Sequence, residues 1–315
     1  MKVVVQIPCL NEEATLPLVL TSIPKKIKGV DQVIVLIVDD GSSDKTVEVA
    51  RRHGVTEFVF HTRNQGLGRS FHDGVARALE LGADIVVNTD GDNQYPQNRI
   101  SDLVQPIIRG QADIVIADRQ THTIEHFSPF KKYLQRLGSR VVNKAGGTNL
   151  PDAASGFRAY SRESLMQLNT TTRFSYCMET IIQAGVKRMA IVSIPVETNA
   201  KLRESRLFKS TPEHVFKSAS AIIRAYIMYR PYMIFGSLGL AMFLLGLIPF
   251  ARYLYLTIAD HTGRGHLQSL IIGSILLTGA FLCLVLNIIA DLIRINRILI
   301  EDNLEHTKRL RFGSK

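Results

Sequence analysis

The sequence predicts an α/β protein with a doubly wound, mostly parallel sheet, followed by a two-helix membrane hairpin. Short apolar segments alternate with helical patterns from residue 3 to residue 117, and short links join them, which is typical of a parallel sheet. Two long apolar segments without charge follow nearer the C-terminus. Each is long enough to cross the hydrocarbon core of a bilayer as a helix.

The elements of the sheet follow in order along the chain. Apolar, β-branched runs predict strands at residues 3–7, 32–38, 57–61, 83–87 and 113–117. Helical patterns lie at residues 12–23, 45–53, 68–81 and 100–109. Polar motifs follow the strands at residues 8–13, 39–44, 64–68, 88–96 and 118–119. Because ligands of such sheets bind beyond the carboxyl ends of the strands, this shared edge predicts a binding site.

The motif after the fourth strand predicts a metal site. Asp90 and Asp92 are followed by Gln94, so three side chains with oxygen atoms occupy alternate positions. Alternate residues of extended chain point the same way, and a hard divalent cation that clamps a diphosphate prefers such oxygens. An acidic turn supported by Gly91 and Pro96 is the plain alternative.

A glycine-rich turn, residues 64–68, precedes the third helix. It resembles part of a dinucleotide-binding fingerprint, but Phe71 stands where the third glycine belongs, which disfavours NAD. The turn can still face phosphate at the helix N-terminus. No Walker A sequence is present, which excludes a P-loop NTPase.

The composition indicates a membrane partner rather than nucleic acid. The 315 residues carry a formal net charge of +10, and the excess collects near the apolar segments, as expected for attraction to anionic lipid headgroups. No nucleic-acid motif accompanies the charge, so no nucleic-acid partner is expected. Cys9, Cys177 and Cys283 lack metal spacing and are expected to be reduced, structural thiols.

The expected spans are Tyr232–Ala251 and Leu267–Ala290. No secretory signal pattern precedes the first strand, and basic residues flank the hairpin on both outer sides. The N-terminal domain and both termini are therefore expected in the cytoplasm. The expected division is an N-terminal α/β domain at 1–210, an interfacial amphipathic helix at 211–230, two transmembrane helices within 231–293 and a basic cytoplasmic tail at 294–315.

Two amphipathic segments have basic and apolar faces. The first, residues 128–145, fits a membrane-surface helix or an ordinary surface helix equally well. The second, residues 213–229, precedes a span, which favours the interfacial position.

Four ordered motifs carry a resemblance to a known family. They are Pro8-Cys-Leu-Asn-Glu-Glu13, Val38-Asp-Asp-Gly-Ser-Ser-Asp44, Asn64-Gln-Gly-Leu-Gly68 and Asp90-Gly-Asp92. Their succession resembles family 2 glycosyltransferases with the GT-A fold. Within that family the chain is most similar to the polyprenyl-phosphate branch, which includes dolichyl-phosphate mannose synthases and bacterial two-span bactoprenol glucosyltransferases.

The resemblance implies roles for individual residues. The residues implied to bind the nucleotide-sugar are Pro8, Leu10, Glu12, Val38, Asp39, Asp90, Gly91 and Arg119. The residues implied to hold Mg²⁺ or Mn²⁺ are Asp90, Asp92 and Gln94. The residues implied to bind the acceptor phosphate are Arg136, Ser139 and Arg203. The residues implied at the reaction centre are Asp92, Asp152 and Arg158. A turn with an ordinary salt bridge is the alternative for residues 152–158, and a surface position is expected for Glu179.

The implied activity is inverting, metal-dependent transfer of a single sugar from a UDP- or GDP-sugar to undecaprenyl or dolichyl phosphate. An ionised lipid phosphate needs no general base, so none is assigned. One alternative is a processive polysaccharide synthase, although the chain lacks tryptophan and therefore the Gln-x-x-Arg-Trp motif of those enzymes. Another is a non-catalytic membrane-anchored scaffold with the same fold. The sequence leaves the oligomeric state open, and a homo-oligomer is one arrangement that it allows.

Overall fold

The computed structural model describes residues 1–121, 129–170, 176–200, 220, 223, 227–260 and 267–313. Its sheet strands are β1 (Lys2–Cys9), β2 (Gln32–Asp39), β3 (Glu57–Phe60), β4 (Ile85–Asn88), β5 (Ile114–Asp118), β6 (Arg158–Ser161) and β7 (Ile191–Pro195). They form one seven-stranded sheet in the order β3-β2-β1-β4-β6-β5-β7. The five predicted strands are confirmed, and β6 and β7 are additional.

Helices cover the sheet and continue beyond it. They are α1 (Leu16–Ser22), α2 (Thr46–Arg52), α3 (Leu67–Glu80), α4 (Ile100–Ile108), α5 (Pro129–Gly146), α6 (Arg162–Gln167), α7 (Tyr176–Val186), α8 (Ser237–Asp260) and α9 (Leu267–Phe312). Helix α1 begins at Leu16 rather than at the expected Glu12, because the preceding residues form a turn in which the side chains of Asn11 and Glu13 accept hydrogen bonds from the backbone at residues 43 and 45.

The core lies against the central strands. Val3, Val5, Ile7, Ile85 and Val87 are fully buried, because helices pack on both faces of β1 and β4. Continuous apolar strands of this kind are typical of parallel sheets covered on both faces.

Strand β6 is the exception to the parallel direction, since it pairs antiparallel with both β4 and β5. Its first residue, Arg158, lies opposite Asn88, the last residue of β4. The loop that precedes β6 therefore arrives at the carboxyl edge of the parallel strands.

The chain divides into two compact units, residues 1–223 with 301–315, and residues 224–300. Among the described residues, two helices, α8 and α9, are long and apolar enough to cross a membrane. Helix α8 and residues 267–300 of α9 belong to the second unit. Within it, close contacts at glycine join α8 to α9: a Cβ on Gly246 would lie 3.1 Å from Cβ of Leu276, and one on Gly273 would meet the ring of Phe250 at 2.5 Å. These contacts support the predicted hairpin.

The residues expected to form a basic tail are helical through Phe312. Residues 301–312 belong to the first unit, where Arg309 pairs with Glu163 and Arg311 donates to Glu80 at 2.6 Å. Lys308 Nζ donates to the carbonyl oxygen of Leu168 at 2.6 Å. The end of α9 is thus a docked helical segment.

Candidate active site

The ends of β1 and β2 bring the first two motifs together. In their parallel register Pro8 lies opposite Val38, and Cys9 lies opposite Asp39. Asp39 is buried, and its carboxylate oxygens each lie 3.4 Å from the backbone nitrogen of Ser42, which donates to them. The candidate nucleotide residues of both strands therefore share one edge, as the sequence predicted.

A threonine links the loop after β1 to the loop after β4. The Thr15 hydroxyl lies 2.9 Å from Oε2 of Glu12 and 2.8 Å from the carbonyl oxygen of Gly91. A Cβ on Gly91 would lie 3.2 Å from Cγ of Glu12 and 3.3 Å from Sγ of Cys9. A side chain at this position would press on Glu12 and Cys9, so the glycine lets Glu12 lie close beside the acidic motif.

The acidic motif presents two carboxylates with an amide in support. The backbone N–H of Gln94 donates to Oδ1 of Asp92 at 3.1 Å, and its Nε2 donates to Oδ2 at 2.6 Å. The amide nitrogen of Gln94 thus orients Asp92, and the expected role of its side-chain oxygen as a third ligand stays a prediction. The described residues gather no cluster of three or more His, Cys, Asp and Glu side chains for a metal. Two carboxylates still fit Mg²⁺ or Mn²⁺, since such ions take further oxygens from water and substrate phosphates.

An ion pair joins two residues from different motifs. Arg119, after β5, donates from Nε to Oδ2 of Asp152 at 2.6 Å and from a terminal nitrogen to Oδ1 at 3.0 Å. Asp152 is buried. Burial alone would raise the pKa of Asp152, but the charge of Arg119 and the hydrogen bonds from Arg119 and the Ala154 N–H lower it below its ordinary value. The pair holds the start of the 152–157 loop at the sheet edge.

The peptide at Gly156 is held on both sides. Its N–H donates to the Tyr95 hydroxyl at 3.0 Å, and its carbonyl accepts from the Tyr176 hydroxyl and from Nδ2 of Asn88, each at 3.1 Å. Burial raises the pKa of both phenols, so they stay neutral. A Cβ at Gly156 would lie 3.4 Å from Oδ2 of Asp90, so the acidic motif and this loop touch.

Helix α5 contains two of the three expected acceptor residues, Arg136 and Ser139. The buried Ser139 hydroxyl accepts from the N–H of Ala153 at 3.2 Å, next to Asp152. Arg136 is exposed on the same helix. Arg203 lies outside the described residues, but Asn199 donates from its N–H to the carbonyl of Gln94 and from Nδ2 to that of Asn93, both at 2.9 Å.

Two expectations need correction. Arg158 is fully buried and donates to the carbonyls of Ser155, Cys177 and Ala153 at 2.7–3.0 Å, so it braces the loop instead of facing a substrate. Glu179, expected at the surface, is buried on α7.

Sequence reasoning missed the residues that pin Gly156. Tyr95 belongs to the acidic motif itself, and Asn88 is a polar residue at the end of an otherwise apolar strand, so both carried a signal. Tyr176 lies 20 residues from Gly156, and nothing in the sequence around it indicated this contact.

Comparison with known proteins identifies the family. Residues 4–168 match the family described as Glycosyl transferase family 2. The chain is 30% identical over 213 residues to UDP-N-acetylglucosamine–dolichyl-phosphate N-acetylglucosaminyltransferase from Methanococcus voltae, with 61% of this chain and 83% of that protein covered. It is 28% identical over 236 residues to polyprenol monophosphomannose synthase from Mycolicibacterium smegmatis, with 71% and 88% covered.

Solved structures share the fold. Glucosyl-3-phosphoglycerate synthase from Mycobacterium tuberculosis, in complex with Mn²⁺, UDP-glucose and phosphoglyceric acid, superposes with a TM-score of 0.56 at 23% identity, covering 72% of this chain and 78% of that one. The same enzyme with Mg²⁺ and UDP gives a TM-score of 0.53 at 24% identity, covering 70% and 79%. The predicted GT-A fold is thereby confirmed. Because the family match spans more than half of the chain, the protein belongs to glycosyl transferase family 2 and is a glycosyltransferase.

Proposed function

We propose that this glycosyltransferase moves one sugar, with inversion, from a nucleotide-sugar to a polyprenyl phosphate at the cytoplasmic face of a membrane. The observation that carries the proposal is the contact between the acidic motif and the 152–157 loop, where Asp90 lies beside Gly156. This contact puts a diphosphate-binding motif next to a loop whose partners come from α5 and β5. Donor and acceptor groups can then meet at one point.

The donor side is built from the ends of β1, β2 and β4. Pro8, Val38 and Asp39 would flank the nucleoside, because the strand register sets them side by side. Asp90 and Asp92 would hold Mg²⁺ or Mn²⁺, which when bound neutralises charge on the leaving diphosphate. Gln94 keeps Asp92 in the orientation that this requires.

The acceptor side needs positive charge rather than a base. A phosphate oxygen is already ionised near neutral pH, so it can attack the anomeric carbon directly, which inverts that centre. Arg136 and Arg203 are the proposed cations that hold this phosphate in line. Arg203 is included because Asn199 attaches the preceding residues to the acidic motif. Arg119 is proposed to face the donor phosphates from its pair with Asp152.

The membrane side rests on the hairpin and on α5. Among the side chains of α5 that the structure describes, the exposed ones occupy one helical face, on which apolar and basic side chains mix: Tyr133, Arg136, Leu137, Arg140 and Lys144. Such a face suits the headgroup region of an anionic bilayer. We expect the acceptor phosphate to be presented there, with both chain termini in the cytoplasm.

The names of the relatives support a polyprenyl-phosphate acceptor and point to two different sugars. One is named for N-acetylglucosamine and dolichyl phosphate, and another for mannose and a polyprenol. The test is transfer from radiolabelled UDP- and GDP-sugars to undecaprenyl or dolichyl phosphate in membranes, with Mn²⁺, Mg²⁺ or EDTA. A metal-dependent lipid-linked sugar supports the proposal, whereas a polymer or a water-soluble product would overturn the acceptor assignment.

Two variants test the residue assignments. Asp92→Ala should abolish transfer and Mn²⁺ binding in the presence of UDP, while the protein stays folded in the membrane. The matched control is Asp102→Ala, since Asp102 is an exposed aspartate of α4 that pairs with Arg99. Arg203→Ala should raise the KM for polyprenyl phosphate more than that for the donor. An unchanged acceptor KM would remove Arg203 from the site.

A further inference from the structure

A buried histidine bridges two carboxylates beside the donor edge. Nδ1 of His61 lies 2.7 Å from Oδ1 of Asp40, and Nε2 lies 3.2 Å from Oδ2 of Asp73. His61 and Asp40 are buried at the ends of β3 and β2, and Asp73 lies on α3. Because carboxylate oxygens only accept, both contacts are hydrogen bonds when both ring nitrogens carry a proton.

Asp40 in turn holds the glycine-rich turn before α3. The N–H of Gln65 donates to Oδ1 of Asp40 at 2.8 Å, and the N–H of Gly66 donates to Oδ2 at 2.9 Å. Gly66 has φ +93°, a conformation that L side chains rarely adopt. The shape of the turn therefore depends on one carboxylate, and His61 fixes that carboxylate.

The same turn packs on the loop that carries Asp39. Gly41 has φ +79°, and a Cβ there would lie 2.9 Å from the backbone carbons of Arg63 and 3.1 Å from the backbone nitrogen of Asn64, the first residue of the turn. The two loops are in backbone contact, so a shift of the turn is transmitted to the loop at residues 39–44.

Asp73 is itself held as a carboxylate. Nε of Arg69 donates to its Oδ2 at 2.6 Å, and Nδ1 of His72 lies 3.0 Å from its Oδ1. Burial would raise the pKa of Asp73, but the hydrogen bonds from His72 and Arg69 hold it below its ordinary value. His61 thus sits between two fixed acceptors.

We propose that His61 is a positioning residue that keeps the 64–68 turn and the Asp39 loop in the shape that binds the nucleoside diphosphate of the donor. It does not touch the nucleotide itself. It acts through Asp40 on the backbone N–H groups of Gln65 and Gly66. This inference rests on the proposed function for the identity of the ligand, and on the structure alone for the turn.

The test uses the full-length protein in lipid nanodiscs. His61→Leu removes both polar contacts of the ring, and His61→Gln keeps a side-chain donor toward Asp40. His53→Gln is the matched control, because His53 is an exposed histidine at the end of α2. Two quantities are measured: amide hydrogen exchange at Gln65 and Gly66, and calorimetric binding of UDP and GDP with Mn²⁺.

For His61→Leu we expect exchange at both amides to accelerate at least about tenfold, as for loss of a hydrogen bond to a charged group. The nucleotide Kd should rise by a similar factor, while the KM for polyprenyl phosphate changes little. For His61→Gln, the exchange rates and the nucleotide Kd should both lie between those of the wild type and those of His61→Leu. If His61→Leu fails to fold, the exchange rates and nucleotide Kd of His61→Gln and Asp73→Asn are compared with those of the wild type instead.

The outcomes separate the two proposals. Faster exchange with an unchanged nucleotide Kd would make the histidine merely structural and overturn the inference, as would exchange equal to that of His53→Gln. A wild-type protein that binds neither UDP nor GDP would refute the proposed function. Exchange at the turn would then still decide whether His61 holds it.

Discussion

Replacing Asp152 by asparagine should destabilise the catalytic unit strongly. The change leaves the Arg119 guanidinium beside a neutral amide, after an ion pair with distances of 2.6 and 3.0 Å between nitrogen and oxygen atoms. Removing one partner of a buried ion pair costs about 3–5 kcal/mol, because the other charge stays buried without compensation. The Arg119 side chain is 19% exposed and can reach some water, so we expect a cost near about 3 kcal/mol.

This cost translates into a measurable shift in Tm. In a unit of this size about 1 kcal/mol corresponds to roughly 2–4 °C, so Asp152→Asn should lower Tm by about 6–12 °C. The lowered pKa of Asp152 sets the pH dependence. The stabilisation is present above the unfolded-state pKa of about 4 and disappears as pH falls through the lower folded-state pKa. The difference in Tm should hold from about pH 5 to 8 and narrow below about pH 4.

The assay is a thermal unfolding series in nanodiscs at several pH values. The control is the double variant Asp152→Leu with Arg119→Met, which removes both charges and should recover most of the lost stability. A Tm difference under about 2 °C, or one that narrows between about pH 5 and 8, would refute the reasoning.

Three further predictions concern packing and docking. Gly185→Ala should destabilise the fold by about 1–3 kcal/mol, because its Cβ would lie 2.1 Å from the carbonyl oxygen of Gly146 at the end of α5. The control Gly138→Ala should not destabilise the fold, since a Cβ there meets no atom within 4 Å, and thermal unfolding compares the two variants. Tyr95→Phe should lower the free energy of unfolding by about 1–3 kcal/mol, because it leaves the buried N–H of Gly156 without its acceptor beside the acidic motif. Transfer should then require a higher Mn²⁺ concentration, and an unchanged Tm would contradict the prediction. Arg309→Ala should lower the free energy of unfolding by no more than about 1 kcal/mol, because the ion pair between Arg309 and Glu163 is exposed. A larger loss in denaturant unfolding would contradict this and show that docking of the helix end depends on the ion pair.

The parallel half of the sheet was predictable because its strands are buried on both faces. Residues 3–7 and 83–87 are almost entirely apolar, and that pattern needs no tertiary information. The polar motifs follow these strands, so the shared edge and most donor residues followed from topology. Strand β6 was not predictable in the same way, because a four-residue strand that begins with Arg158 shows no apolar run.

Buried charge explains the other differences. Arg158 and Glu179 carry charges that a local pattern assigns to the surface. Arg158 is buried because the carbonyls of Ser155, Cys177 and Ala153 accept its hydrogen bonds. Ser155 and Ala153 are local in sequence, but Cys177 lies 19 residues away, so a local window of sequence contains only part of the reason. Gln94 is a different case, because its amide donates to Asp92 only two residues away, and its expected role as a third metal ligand stays a prediction.

The arrangement around Asp152 also bears on the choice of acceptor. A sugar hydroxyl needs a general base whose pKa lies near the working pH. Asp152 is the carboxylate of the 152–157 loop, and its pairing with Arg119 lowers its pKa, which makes it a weak proton acceptor at neutral pH. Asp90 and Asp92 are the two proposed ligands of the metal. An acceptor that arrives already ionised removes the need for a base, and the proposed lipid phosphate, held by Arg136 and Arg203, would be such an acceptor. The ion pair that stabilises the loop therefore supports the proposal of a phosphate rather than a hydroxyl as the attacking group.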